Sequence, residues 1–173
     1  ALAFWVTRYG VTVPADIAAI SADTDFLARS AGDRQSVVRM AEVLHGKTEF
    51  PSRRALTALV GQAYLDINDD EFINVDVIHK VIGLSQEAIR GRAVRVELDA
   101  ASFLVMHPLD VLGSRLANLH KLVQKQNPKG RMQLALAIDM GREFIRAEAQ
   151  QSGGAESPER SPLQPFISEI ERL

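Results

Sequence analysis

Residues 20–28 read ISADTDFLA, an apolar, strand-like stretch interrupted by two aspartates one residue apart. In a strand, side chains at i and i+2 project to the same face, so Asp23 and Asp25 stand side by side. Two carboxylates about 5 Å apart at an effective dielectric of ~20 repel by roughly 3 kcal/mol. A chain keeps such a pair where it is fully exposed, where the two share a proton, or where a cation lies between them. Hard divalent cations take carboxylate oxygens, and magnesium is typically held by a few of these together with substrate phosphates. The plain alternative is a polar strand end.

A third carboxylate decides how the pair is read. In FINVDVI, residues 72–78, alternation puts Val75 and Val77 toward a core and Asp76 on the opposite face with Asn74 and Ile78. A charge inside so apolar a strand needs a partner, because burying it alone is costly. If the two strands are neighbours, Asp23, Asp25 and Asp76 converge as a two-plus-one cluster suited to two-metal phosphoryl chemistry.

The rest of the chain is organised around these two strands. Residues 1–9 have helical composition, with Gly10 as the expected C-cap. A second helix is expected from the N-cap candidate Asp33 to His45, ending at Gly46. Short strand-like runs follow at 55–60, 62–67 and 72–78, with Asn68-Asp69-Asp70-Glu71 as a hairpin turn. A short helical piece at 85–90 precedes two more strand-like runs, 92–98 and 102–106. From Pro108, Leu109, Leu112, Leu116, Leu119 and Val123 recur at helical spacing, and Asn127-Pro128 breaks that helix. A further helix is expected over 129–149, with Met132, Ala135, Leu136, Met140, Phe144 and Ile145 as its apolar face. The fold class is α/β (α+β): a small mixed β-sheet with flanking helices, then a C-terminal helical hairpin and a tethered terminal helix. The expected division is an α/β core at 1–106, a helical lobe at 107–150, a flexible linker at 151–162 and an amphipathic helix at 163–173.

The chain has 173 residues and no cysteine, which excludes disulfides, thiolate-bound zinc and thiol catalysis. No apolar run approaches the ~20 residues that span a bilayer, and the start, ALAFWVTRYG, lacks the basic leader of a secretory signal. A cytoplasmic, soluble protein without membrane contact is expected. The net charge of −2 is unevenly spread. Residues 1–78 hold 7 Lys/Arg against 11 Asp/Glu, net −4, and residues 79–146 hold 11 against 6, net +5. An acidic first half and a basic second half suit a metal site facing a phosphate-binding surface, although solvated helix faces produce the same count.

The pattern apolar-Asp-x-Asp-apolar, followed about fifty residues later by apolar-Asp-apolar, resembles the nucleotidyltransferase fold of the DNA polymerase beta-like enzymes. ISADTDFLA, INVDVIHKVIGL and FLVMHPLDVLGSRLANLHKL carry the likeness, which is nearest to the bacterial abortive-infection (AbiE-type) toxin-like nucleotidyltransferases. The resemblance implies Mg²⁺- or Mn²⁺-dependent transfer of a nucleoside monophosphate from an NTP to an acceptor such as RNA or protein, in a toxin–antitoxin or phage-defence setting. It implies Asp23, Asp25 and Asp76 as metal ligands, with Asp76 also favouring deprotonation of the acceptor. Arg115, Asn118 and Lys121 are the candidates for contacting the NTP, with Arg115 standing in for the charge of the family's lysine. Two family features have no counterpart from Ala1 onward: the Gly-Gly or Gly-Ser turn that cradles triphosphate, and the later Asp-x-x-x-Asp motif. The competing reading is a non-catalytic binding or regulatory module on the same fold.

Other chemistries fit less well. DTDFL lacks the Thr or Val expected at Leu27 in a haloacid-dehalogenase motif, and DINDDEFINVDV lacks both the Gly and the Glu of a calcium loop. His45, His79, His107 and His120 show no ligand spacing, and His107 is expected at a helix start. Phe166, Ile167 and Ile170 form the stripe through which the terminal helix docks on the body, on a second copy in a homodimer, or on a partner protein.

Overall fold

The structure is a computed structural model and describes residues 1–14, 23–52, 54–68, 71–98 and 101–152. The expected linker beyond Ser152 and the expected terminal helix at 163–173 lie outside the described residues. The class is mixed α and β, with one four-stranded and one two-stranded sheet. The chain divides into two compact units: residues 17–91, and residues 1–16 with 92–173. The position 106/107 falls inside the second of these.

The 17–91 unit is built on a four-stranded mixed sheet. Its strands are β1 (Asp23–Leu27), β2 (Lys47–Glu49), β3 (Leu59–Asp66) and β4 (Phe72–Ile78), in the order β1-β4-β3-β2. β1 runs parallel to β4, and β3 is antiparallel to both its neighbours, β4 and β2. The parallel pair needs a crossover, and the helix α2 (Arg34–Leu44) lies within it. Asp33 caps α2 by accepting from the Ser36 amide at 3.4 Å. His45, in the left-handed conformation at φ 54°, closes the helix, so the stop falls one residue before Gly46. The Gly46 amide still donates to the Ala41 carbonyl, as the end of a helix requires.

The core lies between α2 and one face of this sheet: Val37 and Ala41 meet Val60, Ala63, Val75 and Val77, with Met40, Leu44 and Phe50 at the margin. Val75 and Val77 are buried as their alternation requires, which sends Asn74 and Asp76 to the other face. The runs 55–60 and 62–67 differ from expectation. They contribute one eight-residue strand rather than two, and it is interrupted only by a register shift between Leu59 and Gly61. A Cβ on Gly61 would stand 2.8 Å from the Phe50 ring and 2.9 Å from the Glu49 carbonyl oxygen, so a residue without a side chain sits there. At the β3–β4 turn, Asn68 Oδ1 accepts from the Glu71 amide at 3.0 Å and Asn68 Nδ2 donates to Glu71 Oε2 at 2.9 Å.

The other unit contains α1 (Leu2–Arg8), the end of α3 (Gln86–Arg92), the hairpin β5 (Val94–Leu98) and β6 (Ala101–Val105), α4 (Pro108–Lys121) and α5 (Pro128–Ser152). β5 and β6 form their own antiparallel ribbon and do not extend the larger sheet. Leu2, Trp5 and Val6 of α1 are buried, as are Val96, Val105, Val111, Leu136, Met140 and Phe144. On α5 the buried stripe is Gln133, Leu136, Ala137, Met140 and Phe144, while Ala135 and Ile145 are exposed. Leu136, Met140 and Phe144 are thus buried as hydropathy suggests, and the face turns toward Gln133 and Ala137 rather than toward Ala135 and Ile145. Small Gly141 sits on this face beside Leu109 and Leu112, which lets α4 and α5 approach closely as a helical hairpin.

Candidate functional site

The face of the four-stranded sheet opposite α2 carries two polar rows beside an apolar row of Leu27, Ile78 and Leu59, and its residues follow from strand register. β1 and β4 are neighbours, with Asp25 paired to Asp76 and Asp23 paired to Asn74. Across the next boundary, Gln62 of β3 pairs with Asp76 and Tyr64 with Asn74. At the β2 edge, Glu49 pairs with Gln62 and Lys47 with Tyr64. One row of this face therefore reads Asp25, Asp76, Gln62, Glu49, and the next reads Asp23, Asn74, Tyr64, Lys47. Paired residues on neighbouring strands share a face about 4.8 Å apart, which is the spacing a single hydrated cation can bridge.

Asp25 is exposed and Asp76 half-buried. Asp76 is held in place by two side-chain amides that donate to the same oxygen: Gln62 Nε2 at 2.7 Å and Asn74 Nδ2 at 2.8 Å, both to Oδ1. Neither bond involves Oδ2, which is thus the Asp76 oxygen on which a cation would fall. The backbone of Asp23 is in register on the same strand, two residues before Asp25, while its side chain lies outside the described residues. Among the described residues no group of three or more His, Asp or Glu side chains stands ready to hold a metal. The two described carboxylates, all-oxygen and on adjacent strands, fit a hard cation of the magnesium type rather than a soft one.

No protein-family model matches the chain, and no curated protein does. The weight therefore falls on the geometry of the face itself.

Arg115, Asn118 and Lys121 all lie on α4, three residues apart, with Arg115 and Asn118 half-buried and Lys121 exposed. They belong to the other unit, residues 1–16 with 92–173, and the carboxylates to the unit of residues 17–91. Gln62 was not among the residues that the sequence pattern singled out. Its signal was present in QAYLD, where Gln62 and Tyr64 alternate with Ala63, but an amide in a strand attracts no notice until register sets it opposite an aspartate.

The four histidines are not assembled into a ligand set among the described residues. His107 is the N-cap of α4, where its Nδ1 accepts from the Leu109 amide at 3.2 Å. Burial, helped by the nearby Arg92 guanidinium, pushes its pKa down to about 4, so the ring is a neutral acceptor at physiological pH. Beside it is a cavity of about 370 Å³ bordered by Trp5, Tyr9 and Phe144. Among the described residues Glu148 is the only carboxylate that borders it, and the lining has the character of an aromatic crevice rather than a cation site. Among the described residues no helix is long and apolar enough to cross a membrane.

Proposed function

We propose that the polar sheet face is the metal centre of a nucleotidyltransferase, which moves a nucleoside monophosphate from an NTP to a hydroxyl acceptor and releases pyrophosphate. The observation that carries the reading is the register of Asp25 with Asp76 on adjacent parallel strands, with Asp23 two residues earlier on the same strand. The motif likeness in ISADTDFLA and INVDVIHKVIGL supports it. Asp23 and Asp25 would hold the cation that accompanies the triphosphate, and Asp76 would complete the site from β4. The bound Mg²⁺ or Mn²⁺ would supply Lewis-acid stabilisation of charge on the phosphoryl oxygens. The chain's own contribution is to keep acceptor-only carboxylates at fixed spacing on a rigid sheet rather than on loops, so that a phosphate and an acceptor hydroxyl meet in one geometry. Arg115, Asn118 and Lys121 are the side chains proposed to meet the triphosphate or a nucleic-acid acceptor. A toxin-type or phage-defence role belongs to the same proposal.

The test is calorimetry of the full-length protein with Mg²⁺ and each NTP, beside the Asp23→Ala/Asp25→Ala and Asp76→Ala variants. The wild type is expected to bind at least one Mg–NTP, and both variants are expected to lose most of that affinity. Silence in the wild type would leave the fold as a binding or regulatory module. Unchanged binding in the variants would sink the site assignment.

A further inference from the structure

The two amides on Asp76 point to the same carboxylate oxygen. A half-buried aspartate that merely needs satisfying can spread its donors over both oxygens. Here both converge on Oδ1, one from β3 across the strand boundary and one from two residues back on β4 itself. A carboxylate oxygen has two lone pairs, so two donors fill Oδ1. The terminal torsion of aspartate is otherwise broad, and this clamp removes that freedom. The chemistry of the donors matters as well. A lysine or arginine at either place would compete with a cation for the carboxylate charge, whereas a neutral amide orients the group and leaves its charge available.

We infer that Gln62 and Asn74 are positioning residues of the proposed metal centre: they hold Asp76 by Oδ1 so that Oδ2 is turned toward the cation it shares with Asp25. The inference rests on reading Asp25 and Asp76 as ligands. It assigns Gln62 and Asn74 the outer-shell role that carboxylate and carbonyl partners play for ligating histidines elsewhere, a role whose loss typically costs about 10–100-fold in metal affinity.

The experiment is Mn²⁺ titration of the whole chain, followed by calorimetry and by the electron paramagnetic resonance signal of free Mn²⁺, on the wild type, Gln62→Leu, Asn74→Leu and Asp76→Asn, with melting temperatures recorded for each. Asp76→Asn is expected to lose binding. Gln62→Leu and Asn74→Leu are expected to weaken it about 10–100-fold at melting temperatures near that of the wild type. A second readout needs no variant. In the wild type, the side-chain NH₂ resonances of Gln62 and Asn74 should shift on Mg²⁺ addition together, because both report on the same carboxylate. If Asp76→Asn abolishes Mn²⁺ binding while both leucine variants bind as the wild type does, or if the amide resonances stay still while Mg²⁺ binds, the positioning role is overturned and the metal centre stands. If the wild type takes up no Mn²⁺, the metal centre falls, and the positioning role with it.

Discussion

A single histidine ties the stability of the α4 start to pH. The His107 ring is neutral and accepts from the Leu109 amide, and burial with the Arg92 guanidinium beside it holds its pKa at about 4, below the ordinary 6.5. Between those two values the unfolded chain binds a proton that the folded chain refuses. The contribution is therefore fully present above about pH 6.5 and is lost as the pH falls toward 4. With the ring only half-buried, it amounts to about 1–2 kcal/mol after discounting for solvent screening. Urea unfolding between pH 4 and 7 should show this decline, and His107→Asn, which keeps a capping acceptor without a titrating ring, should flatten it. An identical acid slope in the variant would assign the decline to other groups. A few residues away, Asp110 is buried and paired with Arg92, whose side chain is a quarter exposed. Asp110→Ala leaves that guanidinium without its carboxylate and is expected to cost about 3 kcal/mol in the same assay. Asp33→Ala, which removes only the side-chain acceptor for the Ser36 amide at the start of α2, is expected to cost less than Asp110→Ala.

At the scale of elements, two glycines set what can pack where. A Cβ on Gly46 would lie 2.2 Å from the Tyr64 carbonyl oxygen, and one on Gly130 would lie 1.8 Å from that of Lys125. Both obstacles are backbone, which cannot swing aside as a side-chain tip can. Gly46→Ala should therefore push β2 off β3, and Gly130→Ala should open the turn into α5. Each is expected to lower stability by about 2–4 kcal/mol, read from the denaturation midpoint. By the same logic Gly61→Ala meets the Phe50 ring and the Glu49 carbonyl, and should disturb the strand that carries Gln62. These contacts explain which elements could be read from the chain alone. The period-two alternation of FINVDVI and the turn sequence Asn68-Asp69-Asp70-Glu71 before it located β4, with Val75 and Val77 inward and Asp76 outward. The Pro108 start and the Asp33 cap located α4 and α2. The length of β3 was not legible, because Gly61 reads as a break in the chain alone, whereas it is the residue that fits against Phe50 and Glu49, eleven and twelve residues away. On α5, Leu136, Met140 and Phe144 are buried as expected, while Gln133 and Ala137 are inside because of what faces them, which hydropathy does not report. The pairing of Asp25 with Asp76 was stated only conditionally, since adjacency of strands is a tertiary fact. The clamp by Gln62 depends on a third strand and was not visible.

For the molecule as a whole, the chain crosses between its two units twice, near residues 16 and 91, so the unit bearing the carboxylates is inserted into the sequence of the other. Each unit has a core of its own. Val37, Ala41, Val60, Ala63, Val75 and Val77 pack in one, and Trp5, Val111, Leu136, Met140 and Phe144 are buried in the other. A core that is separately closed can open separately, because cooperative units follow contiguous packing rather than chain order. Met140 is fully buried, and Met140→Ala removes a large side chain from a packed interior, at a cost of about 2–5 kcal/mol. Native-state hydrogen exchange on the whole chain should then show α1, α4 and α5 losing protection by a factor that matches this cost, while β3 and β4 keep most of theirs. Val77→Ala should do the reverse, stripping protection from β1, β3, β4 and α2 and, since Val77 neighbours Asp76 in the strand, weakening any metal affinity along with it. Equal loss across both units in both variants would mean that the chain unfolds as one cooperative body. The separation matters for the proposed chemistry: with the carboxylates in one unit and Arg115, Asn118 and Lys121 in the other, damage to the α4–α5 core should impair NTP binding while leaving Mn²⁺ uptake near that of the wild type.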